Sequence, residues 1–408
     1  MLTIYTCYYH AMPMSNRQEK TTIPRQVWIL GFVSFFNDIA SEMLYPVLPI
    51  FLTQILGAPV AVVGLIEGVA EGSGSVFKGL FGRLSDKLGR RKPFVVAGYS
   101  CSAVSKVIIA LSSIWPFVFL GRVLDRSGKG VRTGARDAML LDASTERNRG
   151  LVFGLHRSLD SAGAVVGPLL AVLMLHVDHS IRFILWIAAV PALGSILLFA
   201  FVKETKRQPQ KSVTVFQFPL RGYSREFQWL LMVLLMFSIG NSSDAFLILR
   251  AKGLGMSLTL VILVYVLYNI VYATLSTPAG KMSDRFGAKR VMITGIVIYA
   301  LVYLGFALDR ESLFIWPLFT VYGAYIALTD GVSKALASQF ITKDQAAGAF
   351  GTMQMLTGLA TLLASVIGGV LWSLIGPQAT FFFGTGCAVL SLLCFHRIPS
   401  GHSVTAKR

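Results

Sequence analysis

The sequence predicts an all-α integral membrane protein, with twelve transmembrane helices arranged in two pseudo-symmetric six-helix bundles. The first observation is composition: 54% of the 408 residues are hydrophobic and only 14% are charged, too few to give a soluble protein of this length a polar surface. The second is that the apolar residues form long runs separated by short basic segments. The third is that two of those segments, one in each half, share a pattern.

The twelve spans follow from length, because a helix needs about 20 mainly apolar residues to cross a bilayer. The suitable stretches are 28–53, 62–81, 94–112, 116–140, 151–174, 183–202, 228–249, 256–279, 291–308, 313–338, 349–374 and 378–396. The predicted regions are a cytoplasmic tail at 1–27, an N-terminal bundle at 28–202, a cytoplasmic central loop at 203–226, a C-terminal bundle at 227–396 and a cytoplasmic tail at 397–408.

The predicted orientation follows from the distribution of Lys and Arg among the loops. One side holds most of them, in residues 83–92, 147–149, 203–226, 281–290 and 343. The other side holds few, chiefly Arg182, Arg250, Lys252 and Arg310. Because cytoplasmic loops are enriched in cations, we expect both termini and the central loop in the cytoplasm and the protein in a plasma membrane, the inner membrane of a bacterium. This distribution accounts for the net charge of +17 without a nucleic-acid partner.

The shared pattern is G-x-x-S-D-[KR]-x-G-x-[RK]-[KR], which occurs at residues 82–92 and again at 280–290. It resembles the loop signature of the major facilitator superfamily. That resemblance implies a secondary transporter that works by alternating access, and not an enzyme. The absence of a nucleotide-binding loop and of G-x-S-x-G in the sequence agrees with that expectation.

The same resemblance implies a gating role for these loops. Gly82 permits close helix approach, Asp86 accepts hydrogen bonds from a helix N-terminus, and Arg90 pairs with Asp137 or Asp142. Breaking this cluster accompanies the rocking of the two halves in the family. The alternative is that the charges only fix topology. In the second loop, Gly280 and Asp284 correspond to Gly82 and Asp86, and Arg290 is the candidate cation.

Charged residues inside the spans concentrate in the N-terminal half, although each costs at least a few kcal/mol near the bilayer centre unless it is paired or hydrated. We expect either a relay for a coupling ion or a set of structural ion pairs. The proton-coupling candidates are Asp38, Glu42, Glu71, Arg122 and Asp160. Lys106 in the third span is expected to serve packing or to extend its ammonium group toward the end of the span.

Asp38 is the first choice for the proton-carrying group, with Glu42 one turn away on the same helical face. An acid in a low-dielectric site takes up a proton more readily than in water, and a cation brought near it favours release. Arg122, in a segment that resembles the fourth-helix pattern of the superfamily, is the expected cation. The alternatives are a permanent Asp38–Arg122 ion pair and an anion site formed by Arg122 and Arg126.

The fifth span carries Gly154, Gly163, Gly167 and Pro168 in the spacing G-x8-G-x3-G-P. This resembles the signature of drug/proton antiporters in the superfamily, although Ala171 and Val172 stand where that signature has glycines. Glycines allow close helix packing and Pro168 bends the helix. Packing without a link to export is the alternative.

Parallel repeats place a substrate site between the halves, near the bilayer midplane. Aromatic and amide side chains of the second half suit a partly apolar ligand, or else pack in the bundle. The predicted substrate-binding residues are Asn37, Arg126, Arg157, Asn241, Asp244, Tyr268, Asn269, Tyr322, Tyr325 and Asp330.

The function predicted from these features is proton-coupled efflux of a small organic compound. The alternatives are proton-coupled uptake of an anionic metabolite or metal chelate, and a receptor or regulator without transport activity. We expect a monomer whose partners are the bilayer and a small-molecule substrate. No cofactor or metal is expected, because the proton gradient supplies the energy and His176 and His179 lie in a solvated loop.

Overall fold

The structure is a computed structural model that describes residues 23–145, 148–177, 180–202, 204, 222–342, 346–395 and 397–398. The tails, most of the central loop and His179 lie outside these residues. The helices are α1 (Arg25–Leu44), α2 (Leu48–Ile50), α3 (Val60–Leu88), α4 (Lys92–Leu111), α5 (Trp115–Ala143), α6 (Arg149–His176), α7 (Ile181–Ile187), α8 (Ala189–Phe199), α9 (Arg225–Gly240), α10 (Ala245–Gly253), α11 (Leu258–Phe286), α12 (Ala288–Leu308), α13 (Ile315–Ser338), α14 (Ala346–Leu374) and α15 (Pro377–Phe395).

These helices confirm the predicted fold class. Eleven membrane-length segments of the described residues are apolar enough to cross a bilayer. α5 is the twelfth segment of that length, with 29 residues, and the charged side chains along it explain why composition does not select it. α1 and α2 together with a π-helical turn at Phe51–Ile55 form the first crossing, α7 and α8 the sixth, and α9 and α10 the seventh.

Three of the crossings are interrupted, namely the first, the sixth and the seventh, and the breaks in the first and the seventh bear on the site. The first breaks between Leu44 and Leu48, beside Pro46 and Pro49, because proline lacks the N–H of a helical hydrogen bond. The seventh breaks at residues 241–244, where α9 ends at Gly240 and α10 begins at Ala245. Asp244 therefore lies at a helix break, whereas Asp38 lies inside α1.

The two basic loops share a backbone feature that explains one glycine of their common pattern. Gly89 has φ 61° and Gly287 has φ 89°, a left-handed region that side-chain-bearing residues avoid. Both follow the last residue of a long helix, α3 and α11. The glycine ends each helix and turns the chain into the next one. We call the end of the bundle that holds residues 82–92 and 280–290 the basic end.

Apolar packing closes the opposite end of the bundle. One buried cluster there combines residues of both halves, including Leu48 and Ala58 from the first half and Ala245, Leu249 and Ile262 from the second. α3 and α14 also pack closely. A Cβ atom at Gly64 would lie only 2.3 Å from the carbonyl oxygen of Ser365. The halves are thus joined at this end.

The predicted helix contact in the fifth crossing is correct for two of its three glycines. A Cβ atom on Gly163 would lie 2.6 Å from the Phe35 oxygen, and one on Gly167 would lie 2.6 Å from the Ile39 oxygen. α6 therefore packs directly on the backbone of α1. Gly154 has no atom within 4 Å of such a Cβ, so the prediction that it serves helix packing is wrong. Pro168 lies inside α6 and is buried.

Candidate functional site

A cavity of about 610 Å³ lies between the two halves, in the part of the bundle nearer the basic end. Its N-terminal wall comes from α1, α3, α5 and α6, and α11 and α14 face that wall with neutral polar side chains. The facing residues include Asn269, Tyr272, Gln354 and Thr357. The charged wall and the neutral polar wall belong to different halves, so a ligand here contacts both.

A second lobe of about 550 Å³ extends the cavity into the C-terminal half. Five residues line both lobes, namely Glu71, Lys78, Gln354, Thr357 and Thr361. The lobe reaches the break between α9 and α10. The two lobes therefore form one two-part central cavity.

Hydrogen bonds between the halves cross the bundle beyond this cavity, toward the closed end. The Tyr265 hydroxyl donates to Glu42 Oε2 at 2.5 Å, and the Tyr45 and Ser243 hydroxyl oxygens are 3.3 Å apart. The Ala61 amide donates to Ser373 Oγ at 3.0 Å. Opening this end requires all three contacts to break.

The proton-coupling candidates are brought together, with one exception. Asp38, Glu42, Glu71 and Asp160 all line the central cavity. Asp38 packs against Gly163, less than one turn from Asp160 on α6. Glu71 Oε1 lies 2.9 Å from Arg126 Nη2.

Arg122 is the exception, because its partner is not Asp38. Its guanidinium donates from Nε and Nη2 to the two oxygens of Glu67, at 2.9 and 2.6 Å. The exposed fractions are 3% for Arg122 and 2% for Glu67, so this bidentate pair is shielded from the cavity. The predicted Asp38–Arg122 contact and the anion site formed by Arg122 with Arg126 are both wrong in this conformation.

Lys106 also differs from its predicted packing role. It is 1% exposed, and its ammonium donates to Asp125 Oδ1 at 2.6 Å and to Ser41 Oγ at 3.1 Å. The Ser102 hydroxyl donates to the same Asp125 oxygen. A buried cation needs such a partner, so the single Lys in an apolar span was itself the signal for a buried acid.

The predicted substrate-binding residues divide between the two lobes. Arg126, Arg157 and Asn269 line the first lobe, whereas the second lobe is lined by Asn241, Asp244, Tyr322, Tyr325 and Asp330. Tyr268 is buried behind that lobe and donates to Asp244 Oδ2 at 2.8 Å.

Asn37 does not belong to this site. Its side chain is fully buried, lines neither lobe, and has no hydrogen-bond partner for either amide atom among the described residues. The prediction that it contacts substrate is therefore wrong, because the cavity face of α1 is the one that carries Asp38.

The aromatic wall of the C-terminal half holds a carboxylate. Asp244 accepts hydrogen bonds from Tyr268 and from Tyr322, the latter at 2.6 Å. Tyr325 packs against Tyr322 with 5.2 Å between ring centroids. Tyr268 and Tyr322 therefore position Asp244, whereas Tyr322 and Tyr325 line the lobe, so the packing role and the site role occur together.

The predicted site left out four cations that line the cavity, namely Lys78 on α3 and Lys129, Arg132 and Arg136 on α5. The spacing of the three on α5 contains the signal. Together with Arg126 they recur every three or four residues, which places them on one helical face. Arg132 also lies over the Tyr99 ring, 4.5 Å from its centroid, and Arg136 donates to Ser34 Oγ at 3.1 Å.

At the basic end, the ion pair predicted for Arg90 is formed by Arg91 instead. Arg91, rather than Arg90, forms the ion pair with Asp142, and it also donates to the Ala138 oxygen at 2.7 Å. Arg90 is exposed, and Asp137 pairs with Arg136 at 3.0 Å. The side chain of Asp86 and the surroundings of Gly82 lie outside the described part.

The second basic loop is more open. Asp284 and Arg290 are exposed. A Cβ atom on Gly280 would meet no atom within 4 Å, so this glycine does not permit a close helix contact here. Arg91 and Glu204 instead tie the first loop to its own half, since the Arg91 amide donates to Glu204 Oε1 at 2.8 Å.

Comparison with known proteins agrees with this architecture. The family model of the Major Facilitator Superfamily matches residues 30–251 and again 229–408. An uncharacterised MFS-type transporter of Methanocaldococcus jannaschii is 36% identical over 385 residues, which cover 92% of this chain and 95% of that protein. The class H tetracycline resistance protein of Pasteurella multocida is 22% identical over 371 residues, covering 86% of this chain and 89% of that protein. The nucleoside transporter NupG has a TM-score of 0.78 at 15% identity, with 91% of this chain and 99% of NupG covered. The chain therefore belongs to the major facilitator superfamily, a family of membrane transporters rather than enzymes.

Proposed function

We propose that this transporter exports a small organic compound from the cytoplasm by proton-coupled alternating access. One observation carries the proposal. Glu42 of the N-terminal half lines the central cavity and accepts a hydrogen bond from Tyr265 of the C-terminal half at 2.5 Å. Opening the closed end must break that bond, so the surroundings of this carboxyl group change with the conformation.

Such a change is what coupling requires. A carboxyl group whose hydrogen bonds and hydration differ between two conformations has a different proton affinity in each. The proton then favours one conformation by as much as those affinities differ. Asp38 and Asp160 line the same cavity as Glu42 and are the further candidates for this role.

Two arguments support the proposed direction of transport: the predicted orientation of the protein in the membrane, and the similarity to a drug resistance protein. If the basic end is cytoplasmic, as the distribution of Lys and Arg predicts, the cavity lies nearer the cytoplasm and receives its ligand from there. The similar class H tetracycline resistance protein supports export of an organic compound. The proposed location is the plasma membrane of a bacterium.

Uptake of an anionic metabolite is the second candidate function, and the charge of the cavity favours it. Six cations, namely Lys78, Arg126, Lys129, Arg132, Arg136 and Arg157, line the first lobe together with four carboxylates. Measuring substrate accumulation in cells with and without an uncoupler separates the two directions. Collapse of the proton gradient raises the cellular content of an exported compound and lowers that of an imported one.

The experiment that tests coupling compares Glu42→Gln with the wild type in vesicles that carry an imposed pH gradient. Compounds identified by screening an overexpressing strain against toxins and metabolites serve as substrates. The introduced amide would still accept the Tyr265 hydrogen bond but cannot titrate, so we expect the variant to bind substrate without concentrating it. Glu311→Gln, at an exposed acid of the loop before α13, is the matched control. Normal gradient-driven transport by Glu42→Gln would contradict the assignment, and no transport of any compound by the wild type would favour a receptor role.

A gating role for residues 82–92 is part of this proposal. The contacts of Arg91 and Lys92 with Asp142 and Glu204 lie within the N-terminal half, which leaves the basic end free to open. We expect Asp86→Asn to lower the transport rate with normal membrane insertion. An unchanged rate at the normal protein level would mean that this loop only fixes topology.

A further inference from the structure

A groove of about 1010 Å³ runs between α6, α11 and α13 and is separate from the central cavity over most of its length. Small and hydroxyl-bearing residues line it. Examples are Ser158 and Ala162 on α6, Thr274 and Thr277 on α11, and Gly331 on α13. Because these side chains are short, the helices leave an open channel along their length.

The groove runs from the middle of the bundle, at the depth of the bilayer, to residues 280–284 at the basic end. Its lining on α6 runs from Gly154 to Val166, and its lining on α11 runs from Ile270 to Asp284. Ser158 and Thr277 are exposed, and Ile270 is 42% exposed. Halfway along a transmembrane helix, such an exposed face meets hydrocarbon. The groove therefore faces lipid chains on its outer side.

A chain of three hydrogen-bonded residues lies where the groove meets the central cavity. Arg157 Nη2 donates to the Tyr272 hydroxyl at 3.1 Å, and that hydroxyl donates to Asp330 Oδ2 at 3.0 Å. Arg157 and Tyr272 line both the groove and the first lobe. The three side chains come from α6, α11 and α13, so this chain of hydrogen bonds joins the halves where the groove meets the cavity.

The electrostatics on the two sides of this partition differ. On the cavity side the six cations exceed the four carboxylates, which favours an anionic group. On the groove side, Arg157 is joined by the acids Asp284 and Asp330, and apolar side chains such as Val165 and Ile270 contribute to the wall. A molecule that fits both sides has an anionic head group and an apolar body.

We propose that the substrate is an amphipathic organic anion that enters from the bilayer through the groove between α6 and α11. Its anionic head displaces the Tyr272 hydroxyl from Arg157 and moves into the cation-rich lobe, while its apolar chain stays in the groove. This inference deepens the proposed function and rests on it for the transport step. The ligand class and the lateral route can nevertheless be tested by binding alone.

The test measures binding of three probes to the protein in lipid nanodiscs. A fluorescent lysophosphatidic acid supplies an anionic head with an apolar chain. Glycerol 3-phosphate has the same kind of head without the chain, and lysophosphatidylcholine has the chain with a zwitterionic head. We expect the amphipathic anion to bind at least about tenfold more tightly than either of the others.

Variants then locate the route. Ser158→Trp and Thr277→Trp each fill the groove from one of its two walls, and neither position lines the cavity. We expect each to weaken binding of the amphipathic anion at least about tenfold. Leu173→Trp is the matched control, because Leu173 is on α6, is 60% exposed, and lines neither space. Arg157→Gln should weaken binding of the anion and leave the weak binding of lysophosphatidylcholine unchanged.

Equal binding of the three probes, or full binding by both groove-filling tryptophan variants in folded protein, would overturn this inference. Other outcomes would contradict the proposed proton-coupled transport without affecting the inference about the ligand, or the reverse. If the amphipathic anion binds as expected but a pH gradient does not move it in proteoliposomes, the coupling proposal is wrong and the ligand class stands. If a pH gradient drives the amphipathic anion through Ser158→Trp and Thr277→Trp as well as through the wild type, coupling stands and the lateral route is wrong.

Discussion

The charged side chains inside the N-terminal half differ in how completely they are partnered. Glu67, Lys106, Arg122 and Asp125 are at most 5% exposed and form short ion pairs. Asp38, Glu42 and Asp160 instead line the cavity, where their surroundings can change. Structural pairs on α3, α4 and α5 therefore coexist with candidate coupling groups on α1 and α6.

The buried Lys106–Asp125 ion pair is expected to stabilise the fold only when both partners are present. Lys106→Met should lower the free energy of unfolding by about 3–5 kcal/mol, because it leaves Asp125 charged and buried without its nearest cation. Adding Asp125→Asn should restore much of that loss. Thermal unfolding in detergent measures both effects, with Lys129→Met at an exposed cavity position as the control, expected within about 0.5 kcal/mol of the wild type. A double variant as unstable as Lys106→Met would contradict this account.

Asp38→Asn tests the residue that the sequence analysis placed first among the coupling candidates. The change keeps the shape and hydrogen-bonding capacity of the side chain but removes its titration, so substrate binding should persist while gradient-driven transport is lost. The pH profile of the transport rate should flatten. If Asp38→Asn transports with the normal pH profile, the proton site lies at Glu42, Glu71 or Asp160.

At the scale of elements, several helices pack a glycine directly on the backbone of a neighbouring helix. Gly163 and Gly167 on α6 meet carbonyl oxygens of α1, and Gly64 on α3 meets one on α14. The helices can approach this closely only because glycine has no Cβ atom. Backbone atoms cannot move aside as a flexible side chain can, so even alanine is too large at these positions.

We expect both Gly167→Ala and Gly167→Leu to impair the protein, with leucine the more severe. A Cβ atom at this position would lie 2.6 Å from the Ile39 oxygen and 2.9 Å from the Met43 nitrogen. Overpacking of this kind costs about 1–3 kcal/mol, which thermal unfolding and transport rates should both register. Gly154→Ala on the same helix is the control and should change neither. Normal behaviour of Gly167→Ala would mean that α1 and α6 separate readily.

At the scale of the whole molecule, the halves are joined at one end and separated by the cavity toward the other. The joined end combines an apolar cluster from both halves with the Ala61–Ser373 hydrogen bond between α3 and α14. This conformation is open toward the basic loops. Alternating access requires a second conformation in which these contacts are absent.

A disulfide across the closed end should trap this conformation. The Ala61 amide is 3.0 Å from Ser373 Oγ, so Ala61→Cys combined with Ser373→Cys brings two thiols together. We expect oxidation to stop transport and a reductant to restore it. Ala61→Cys alone should be unaffected by oxidant. Full transport by the crosslinked protein would show that this end does not need to open.

The predicted orientation can be tested with reporter fusions. Because cations crowd the basic end, a reporter placed after Arg408 and one inserted in the 203–226 loop should both be active in the cytoplasm. A reporter inserted in the loop that contains Arg310 is the control for the other side. A C-terminal fusion active only outside the cytoplasm would contradict the number of spans.

The sequence by itself determined the number of crossings, the two halves and the basic loop within each half. These are properties of segments, because hydropathy, the shared pattern at residues 82–92 and 280–290, and the distribution of cations can be read without knowing any contact. It also identified the carboxylates that line the two lobes, namely Asp38, Glu42, Glu71, Asp160, Asp244 and Asp330, but fewer than half of the cations there. Only the tertiary structure decided their partners: Glu67 for Arg122, Asp125 for Lys106, and Tyr265 of the other half for Glu42. Periodicity tells which face of a helix is polar. It does not tell which other helix that face meets, or which polar groups lie at the same depth, and Glu67 and Arg122 are 55 residues apart in the chain.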